Sequence, residues 1–460
     1  MVKGKSIAQH LGEYFSALRY HDVPASLAHK AKTYFLDWIG SAVAGSHEPP
    51  TQMMISLSSE FGATRPESTV IPQRRRHTAL MAALVNGASS HIKEMDDLHR
   101  PSIFHPAAPI MPAAFAVCEK LHASGRQLIT AIITGYEVGI RAALAAGKSH
   151  YDLWHTTATC GTFGAAAAAA KALRLDPAKF AWALGSAGTQ ASGLWQFLED
   201  GAMSKQLHTA KASFNGLLSA LLAKQGLVGP INIFEGGKGF LAATSKHCET
   251  AILTENLGSI FYTEQNSLKY YASCGHTHTA VQAALSLKGQ LTEGVDAIEA
   301  IEVHVYKQAI DLLGKVDPKT PYLAKFHIPF CVATALCRGH VGIDDFTEQR
   351  LGDPLIRQLI SVTSLHEDPN FSQLYPRQWP AKVKIRLRRG KVIEAQSHYP
   401  KGDPENPITE DELIEKFKSL CGNNLTEQQK DQLIDMVLSL EQLDDVATLF
   451  PITSPSFQNR

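Results

Sequence analysis

Apolar residues recur at three- and four-residue spacing through roughly the first 250 positions, which predicts a succession of helices. Ile7–Leu18, Ala25–Val43, Thr78–Ile92, Ala113–His122 and Gln127–Ala146 carry this spacing, with Gly- or Pro-containing joints at 45–50, 123–126 and 147–150. Three later segments, Gly164–Leu173, Phe180–Ala191 and Ala210–Lys224, are rich in alanine. Alanine favours the helix intrinsically and lets neighbouring helices approach closely. Helices that are apolar on most faces belong inside a large bundle.

The pattern changes near Ser267. Ala297–Tyr306 alternates apolar and polar residues, as a half-buried strand does. Ala381–Leu387 and Lys391–His398 do the same across an Arg-Arg-Gly joint, which predicts a β-hairpin. Phe330–Arg338 and Asp353–Val362 between them predict helices. Beyond PKGDPENP, Glu410–Leu420 and Thr426–Leu440 are amphipathic, and Thr409 and Thr426 each stand in capping position with acids or glutamines behind them. The expected fold is therefore mainly α. A large all-helical domain, 1–266 with 401–460 packing back on it, carries a smaller inserted α+β lid domain, 267–400.

A chain of 460 residues exceeds one ordinary core, in keeping with two domains. Its 44 basic residues balance 44 acidic ones, so no global field points to nucleic acid or to an anionic membrane. Seven scattered cysteines without a C-x-x-C pair argue against a disulfide framework and a cysteine-built metal site. The first twenty residues lack a signal-peptide pattern, and the alanine-rich runs are broken by Lys, His or Gln, so no window reads as a membrane span. The expected location is the cytoplasm.

The helical pattern is interrupted between Asn86 and Ala114. His91, Lys93, Glu94, Asp96, Asp97, His99, Arg100 and His105 crowd a break between two apolar stretches. Such crowding is where proton-transfer groups are found, although a solvated loop has the same composition. Elsewhere, His155 precedes Thr156 and Thr157 at a helix start, where amide donors favour an anion; a Thr cap with a packed His is the plainer alternative. Lys205 and His208 open an alanine- and leucine-rich helix, as a carboxylate contact or as a Lys reaching solvent. Lys269 precedes Cys274-Gly275-His276-Thr277-His278, which lacks the ligand set of a zinc site. Phe234–Phe240 (FEGGKGF) fits neither a dinucleotide nor a phosphate-loop pattern and reads as a turn, and G-x-S-x-G is missing. Neither a metal nor a cofactor is expected. Acid–base chemistry on a small anion, with cations holding carboxylates, suits these residues.

VNGASSHIKEMDD, FHPAAPIMPA, GYEVGIR, WHTTATCGTFGAAAAAAKAL, SKQLHTAKASFNGLLSALLA, IFEGGKGF, KYYASCGHTHTAVQAAL and HYPKGDPENP resemble, in order and spacing, segments of the MmgE/PrpD family. That family includes 2-methylcitrate dehydratases, cis-aconitate decarboxylases and iminodisuccinate epimerases. The resemblance implies a helical domain with an α+β lid, a homodimer, and a metal-free site. It implies His105, His155, Asp96, Asp97 and Lys205 as catalytic groups, and Glu94, His208, Lys269 and His276 as substrate contacts; Arg100, a departure from the family pattern, is expected to add a carboxylate contact. Glu94 departs from the family's first Asp of D-F-D-D, Leu98 from its Thr, and Phe330 from its Tyr. The expected activity is a cofactor-independent lyase, dehydratase or decarboxylase, acting on a small di- or tricarboxylate. An epimerase of a small dicarboxylate and a ligand-binding relative without turnover are the alternatives.

Overall fold

The computed structural model describes residues 4–61, 66–71, 76–315 and 317–450. Internal packing divides the chain into two units. The first takes in the chain up to Ile92, Asp96–Asn266, and everything from Thr409 on; the second consists of Lys93–Met95 and Ser267–Ile408.

At the centre of the first unit lies the Thr156–Ala172 helix, which packs against Ala107–Lys120, Gly125–Tyr151, Pro177–Gly188 and Ser204–Lys224. Its Ala165–Ala170 run is fully buried. Small side chains on every face are what allow four helices to surround one. The Ala79–His91 helix rests on Ser204–Lys224 by the same means. A Cβ on Gly87 would stand 2.9 Å from the Thr209 carbonyl oxygen, so only glycine permits this approach. The crossing draws the ends that carry His91 and His208 into one neighbourhood.

Gly125–Tyr151 corrects one expectation. By length and composition it is apolar enough to cross a membrane, yet 94% of its most apolar window is buried inside the protein. It is a core helix, and Gly147, at φ +69°, breaks its regularity near the end. At the far end of the sequence, Glu410–Cys421 packs on Ala25–Gly45, opened by a Thr409–Glu412 capping box. Glu427–Leu438 opens with the equivalent box at Thr426.

The second unit is built on a four-stranded sheet in the order Thr363–Glu367, Ile298–Val305, Ala381–Leu387, Val392–Ser397. The last two form the antiparallel hairpin expected from alternation. Thr363–Glu367 pairs parallel to Ile298–Val305 and has no counterpart in the sequence reading, because Leu365 is its single apolar residue. Ala381, Val383, Ile385 and Leu387 turn to the buried face. His278–Lys288 packs on the hairpin strands and on Ile328–Arg338.

Candidate functional site

Four imidazoles meet in the first unit. His91 ends the Ala79–His91 helix, and His105 precedes Ala107–Lys120. His155 stands at the N-cap of Thr156–Ala172, and His208 lies in the first turns of Ser204–Lys224. The His91 ring is 4.7 Å from His105 and 5.8 Å from His155, centroid to centroid, and His155 is 5.4 Å from His208. Trp195 and Phe197 close one side, 4.8 and 6.0 Å from the His155 ring.

Hydrogen bonds set the proton positions. His105 Nδ1 lies 2.6 Å from the Asp97 carbonyl oxygen. A carbonyl only accepts, so Nδ1 carries a proton and the neutral ring presents Nε2 as its basic nitrogen. The Thr157 hydroxyl accepts from the His105 amide at 3.2 Å, tying this residue to the central helix. Asp96 bonds His91 Nδ1 at 2.6 Å and lies 3.4 Å from His105 Nδ1. One carboxylate thus serves two rings and can offset the charge that either gains with a second proton.

The Asp97 side chain turns elsewhere. It accepts from the Ala107 amide (2.9 Å), the Tyr136 hydroxyl (2.7 Å) and the Asn266 amide (2.7 Å). Burial raises its carboxyl to about 7, against the lowering effect of those three donors. It positions the start of the Ala107–Lys120 helix, while its backbone orients His105.

His155 and His208 face each other through their Nδ1 atoms at 3.1 Å, so one proton is shared by two nitrogens. Burial first, then neighbouring positive charge including that of Lys205, holds His155 well below its ordinary value and brings His208 to about 4. Both rings are neutral at pH 7, with buried Lys205 beside both and Lys211 beside His208. Gly193 bonds the His155 amide with its carbonyl; a Cβ there would meet Ala158 Cβ at 2.6 Å and His208 Nδ1 at 3.2 Å. Arg100, also buried, lies in the short 3-10 turn Arg100–Ser102.

Two sequence expectations need correction. The cap of Thr156–Ala172 is His155 itself, and its side chain bonds His208 instead of the helix amides, so Thr156 and Thr157 do not cap. His91, which sequence reasoning gives no role, is the imidazole most tightly bound to Asp96. Its place in the polar break was the one available signal. Tyr136 stood in the GYEVGIR segment without a role, and Trp195 and Phe197 left no sequence signal.

Glu94, Lys269 and His276 belong to the second unit. The Lys269 ammonium is 3.2 Å from the Glu94 carboxylate, both almost fully buried, so its charge is already matched. Lys325 braces the segment carrying Glu94 by donating to the carbonyls of Lys93 (2.9 Å) and Ala272 (2.7 Å). His276 bonds the Tyr306 hydroxyl at 2.5 Å and stacks on Trp379 at 4.2 Å; burial lowers it to about 3. It is a neutral ring in an aromatic cage.

Among the described residues, His91, Asp96 and His105 form a donor group whose atoms lie within 4.8 Å of one another, close enough for a cation. Their shortest contacts are those of hydrogen bonds: each Nδ1 has an oxygen acceptor at 2.6 Å. With Nδ1 protonated, each ring keeps its lone pair on Nε2, so Nδ1 serves the hydrogen bond and Nε2 is the atom that would take a proton or a cation.

In a mainly helical protein with an α+β unit, four imidazoles gather, two of them on the Asp96 carboxylate and two on each other, with the buried Lys205 nearby. Residues 9–252 match the MmgE/PrpD N-terminal domain and residues 271–442 the MmgE/PrpD C-terminal domain; the chain belongs to the MmgE/PrpD family. It is 29% identical to the cis-aconitate decarboxylase-like protein oryM of Aspergillus oryzae and 28% identical to the cis-aconitate decarboxylase of Aspergillus terreus, each alignment covering 98% of this chain and 97% of the relative. It is 27% identical to the mitochondrial 2-methylcitrate dehydratase of Yarrowia lipolytica over 35% of this chain and 32% of that one.

Proposed function

We propose that the protein is a cofactor-independent lyase of a small polycarboxylate, with decarboxylation of cis-aconitate or a close analogue as the first reading. The observation that carries this reading is His105, whose Nδ1 proton is held by the Asp97 carbonyl so that Nε2 is the nitrogen available for proton transfer. Full-length similarity to proteins named cis-aconitate decarboxylase supports it; similarity to a dehydratase extends over about a third of the chain.

In a decarboxylation, the carbon–carbon bond to a carboxylate breaks, carbon dioxide departs, and the electron pair left on the substrate carbon takes a proton. A His105 ring protonated at Nε2 supplies that proton, and Asp96 stabilises the ring's charge beforehand. Lys205 holds a carboxylate, and the neutral His155–His208 pair adds hydrogen-bonding groups without competing charge. In a dehydration the same Nε2, unprotonated, takes the proton from carbon, the carbon–carbon double bond forms as the carbon–oxygen bond breaks, and the hydroxyl leaves as water with a proton from a second, protonated group. The reading also takes the chain as a cytoplasmic homodimer, for which light scattering should give twice the 50.1 kDa chain mass.

The test is a proton NMR time course in deuterated buffer with cis-aconitate, 2-methylcitrate and iminodisuccinate, with and without chelator. Chelator-insensitive conversion of cis-aconitate, with deuterium delivered to one product carbon, is expected. Deuterium exchange into an intact substrate would replace the lyase with an epimerase. Activity abolished by chelator and restored by a divalent cation would overturn the metal-free chemistry.

A further inference from the structure

We infer that a second cleft in the helical unit, lined by Arg19, Tyr20, Arg126, Thr130, Lys171 and Arg174, binds a small multivalent anion of the phosphate or polycarboxylate kind. The cleft has a volume of about 450 Å³, within the range of small-ligand sites, and none of its lining side chains is a carboxylate. Four cations in one such recess repel one another unless a counter-charge sits among them.

The ordinary explanation for cations at helix ends covers only one of the four. The Lys171 ammonium donates to the carbonyls of Phe15, Ser16 and Leu18, the last turn and exit of the Ile7–Ala17 helix. That contact neutralises the negative end of a helix dipole that would otherwise face the cleft. Arg126 has the opposite setting. It stands in the first turn of Gly125–Tyr151, where the dipole is positive and a cation is unfavourable. Its Nε donates to the Glu441 carbonyl at 3.2 Å, and its guanidinium lies 5.5 Å from the Tyr20 ring centre. An anion in the cleft would meet both that guanidinium and the helix's positive end.

Arg19 and Arg174 supply the remaining charge. Among the described residues neither side chain has an ion-pair partner, and both are exposed. Arg174 follows the end of Thr156–Ala172 at φ +53°, a left-handed position usually given to glycine. Of the nearby acids, Asp22 accepts from the Arg19 amide at 2.8 Å and offsets part of the charge on Lys171, and Glu441 pairs with Lys32 at 2.9 Å, which leaves the recess with an excess of positive charge. Planar guanidinium forks of this kind match phosphate and carboxylate oxygens two at a time.

The cleft is separate from the histidine cluster. Lys171 and His155 sit at opposite ends of one helix, sixteen positions apart, or about 24 Å at 1.5 Å per residue. The inference therefore stands whether or not the lyase reading holds.

The test is calorimetric titration of the full chain with inorganic pyrophosphate and, separately, citrate, at low and high salt. At least one anion should bind with an affinity that falls as salt rises, and the preferred anion identifies the phosphate or carboxylate class. The double variant Arg19→Gln/Arg174→Gln, which alters exposed side chains and should keep the wild-type melting temperature, is expected to bind at least roughly tenfold more weakly. Lys205→Ala should keep the component of binding that the double variant weakens, even where citrate binding at the histidine cluster is lost. Absence of binding by either anion, or unchanged affinity in the double variant, would overturn the site. Loss of all binding in Lys205→Ala alone would assign the anion to the histidine cluster instead.

Discussion

Asp97 serves three donors through its side chain and His105 through its backbone, so it is the residue where position and chemistry can be separated. In Asp97→Asn one carboxylate oxygen becomes an amide that meets the Tyr136 and Asn266 donors. The expected loss is about 1–3 kcal/mol of stability, the cost of a buried polar contact left unmade, read as a lower urea midpoint with unchanged slope. The Asp97 carbonyl remains, so turnover should fall less than in a variant that touches His105 itself. Gly193→Ala tests the opposite side of the cluster. Its Cβ would press on Ala158 Cβ at 2.6 Å and on the His208 ring at 3.2 Å, at a backbone φ of +151°. A cost of about 1–3 kcal/mol is expected for such overpacking, together with loss of activity as His208 is displaced from His155. A Gly193→Ala protein as active and as stable as wild type would show that the His155–His208 contact is dispensable.

Among the elements, the helices from Thr409 onward join the first unit although more than 140 residues separate them from its preceding segment at Asn266. Glu410–Cys421 is anchored by Lys416, whose ammonium lies 2.5 Å from the Asp37 carboxylate on Ala25–Gly45, with both side chains buried. Lys416→Met keeps the length and apolar stem but removes the cation beside the buried Asp37 carboxylate. We expect a loss of about 3–5 kcal/mol in chemical denaturation, which Asp37→Leu/Lys416→Met together should largely recover. Failure of the double variant to recover would mean that the pair's remaining hydrogen bonds hold the helix. Element types were legible here because long helices repeat their spacing many times. The Thr363–Glu367 strand was not, since five residues with one apolar side chain, Leu365, offer no hydrophobic period to read.

Across the molecule, buried histidines give stability a definite pH dependence. His99, His150, His155, His208, His276 and His327 are all depressed, chiefly by burial, several to between about 3 and 4. Between those values and the ordinary 6.5 the unfolded chain binds protons that the folded one refuses, so this contribution is complete above 6.5 and is lost as pH falls toward 4. Asp97 and Glu119, raised by burial to about 7, and Glu137, also raised, act with the opposite sign over the same range. Six groups outweigh three, and urea midpoints should rise from pH 4 to pH 6.5. A flat or falling curve in that window would mean that water reaches the imidazoles.

Read without a structure, the chain already determined that it is mainly helical, that alternation after Ser267 makes a hairpin, and that it resembles the MmgE/PrpD family along nearly its whole length. These properties follow from local periodicity and from ordered motifs, which need no knowledge of what each segment packs against. Only the tertiary structure decided that His91 joins His105, His155 and His208, that Asp97 holds His105 with its carbonyl and not its carboxylate, and that Lys269 is matched by Glu94. It also decided that Arg19, Arg126, Lys171 and Arg174 line one cleft. The histidine cluster depends on helix crossings between residues far apart in sequence, set by which side chains are small enough to let two backbones meet, whereas the Asp97–His105 and Lys269–Glu94 contacts depend on the path of the connecting segments.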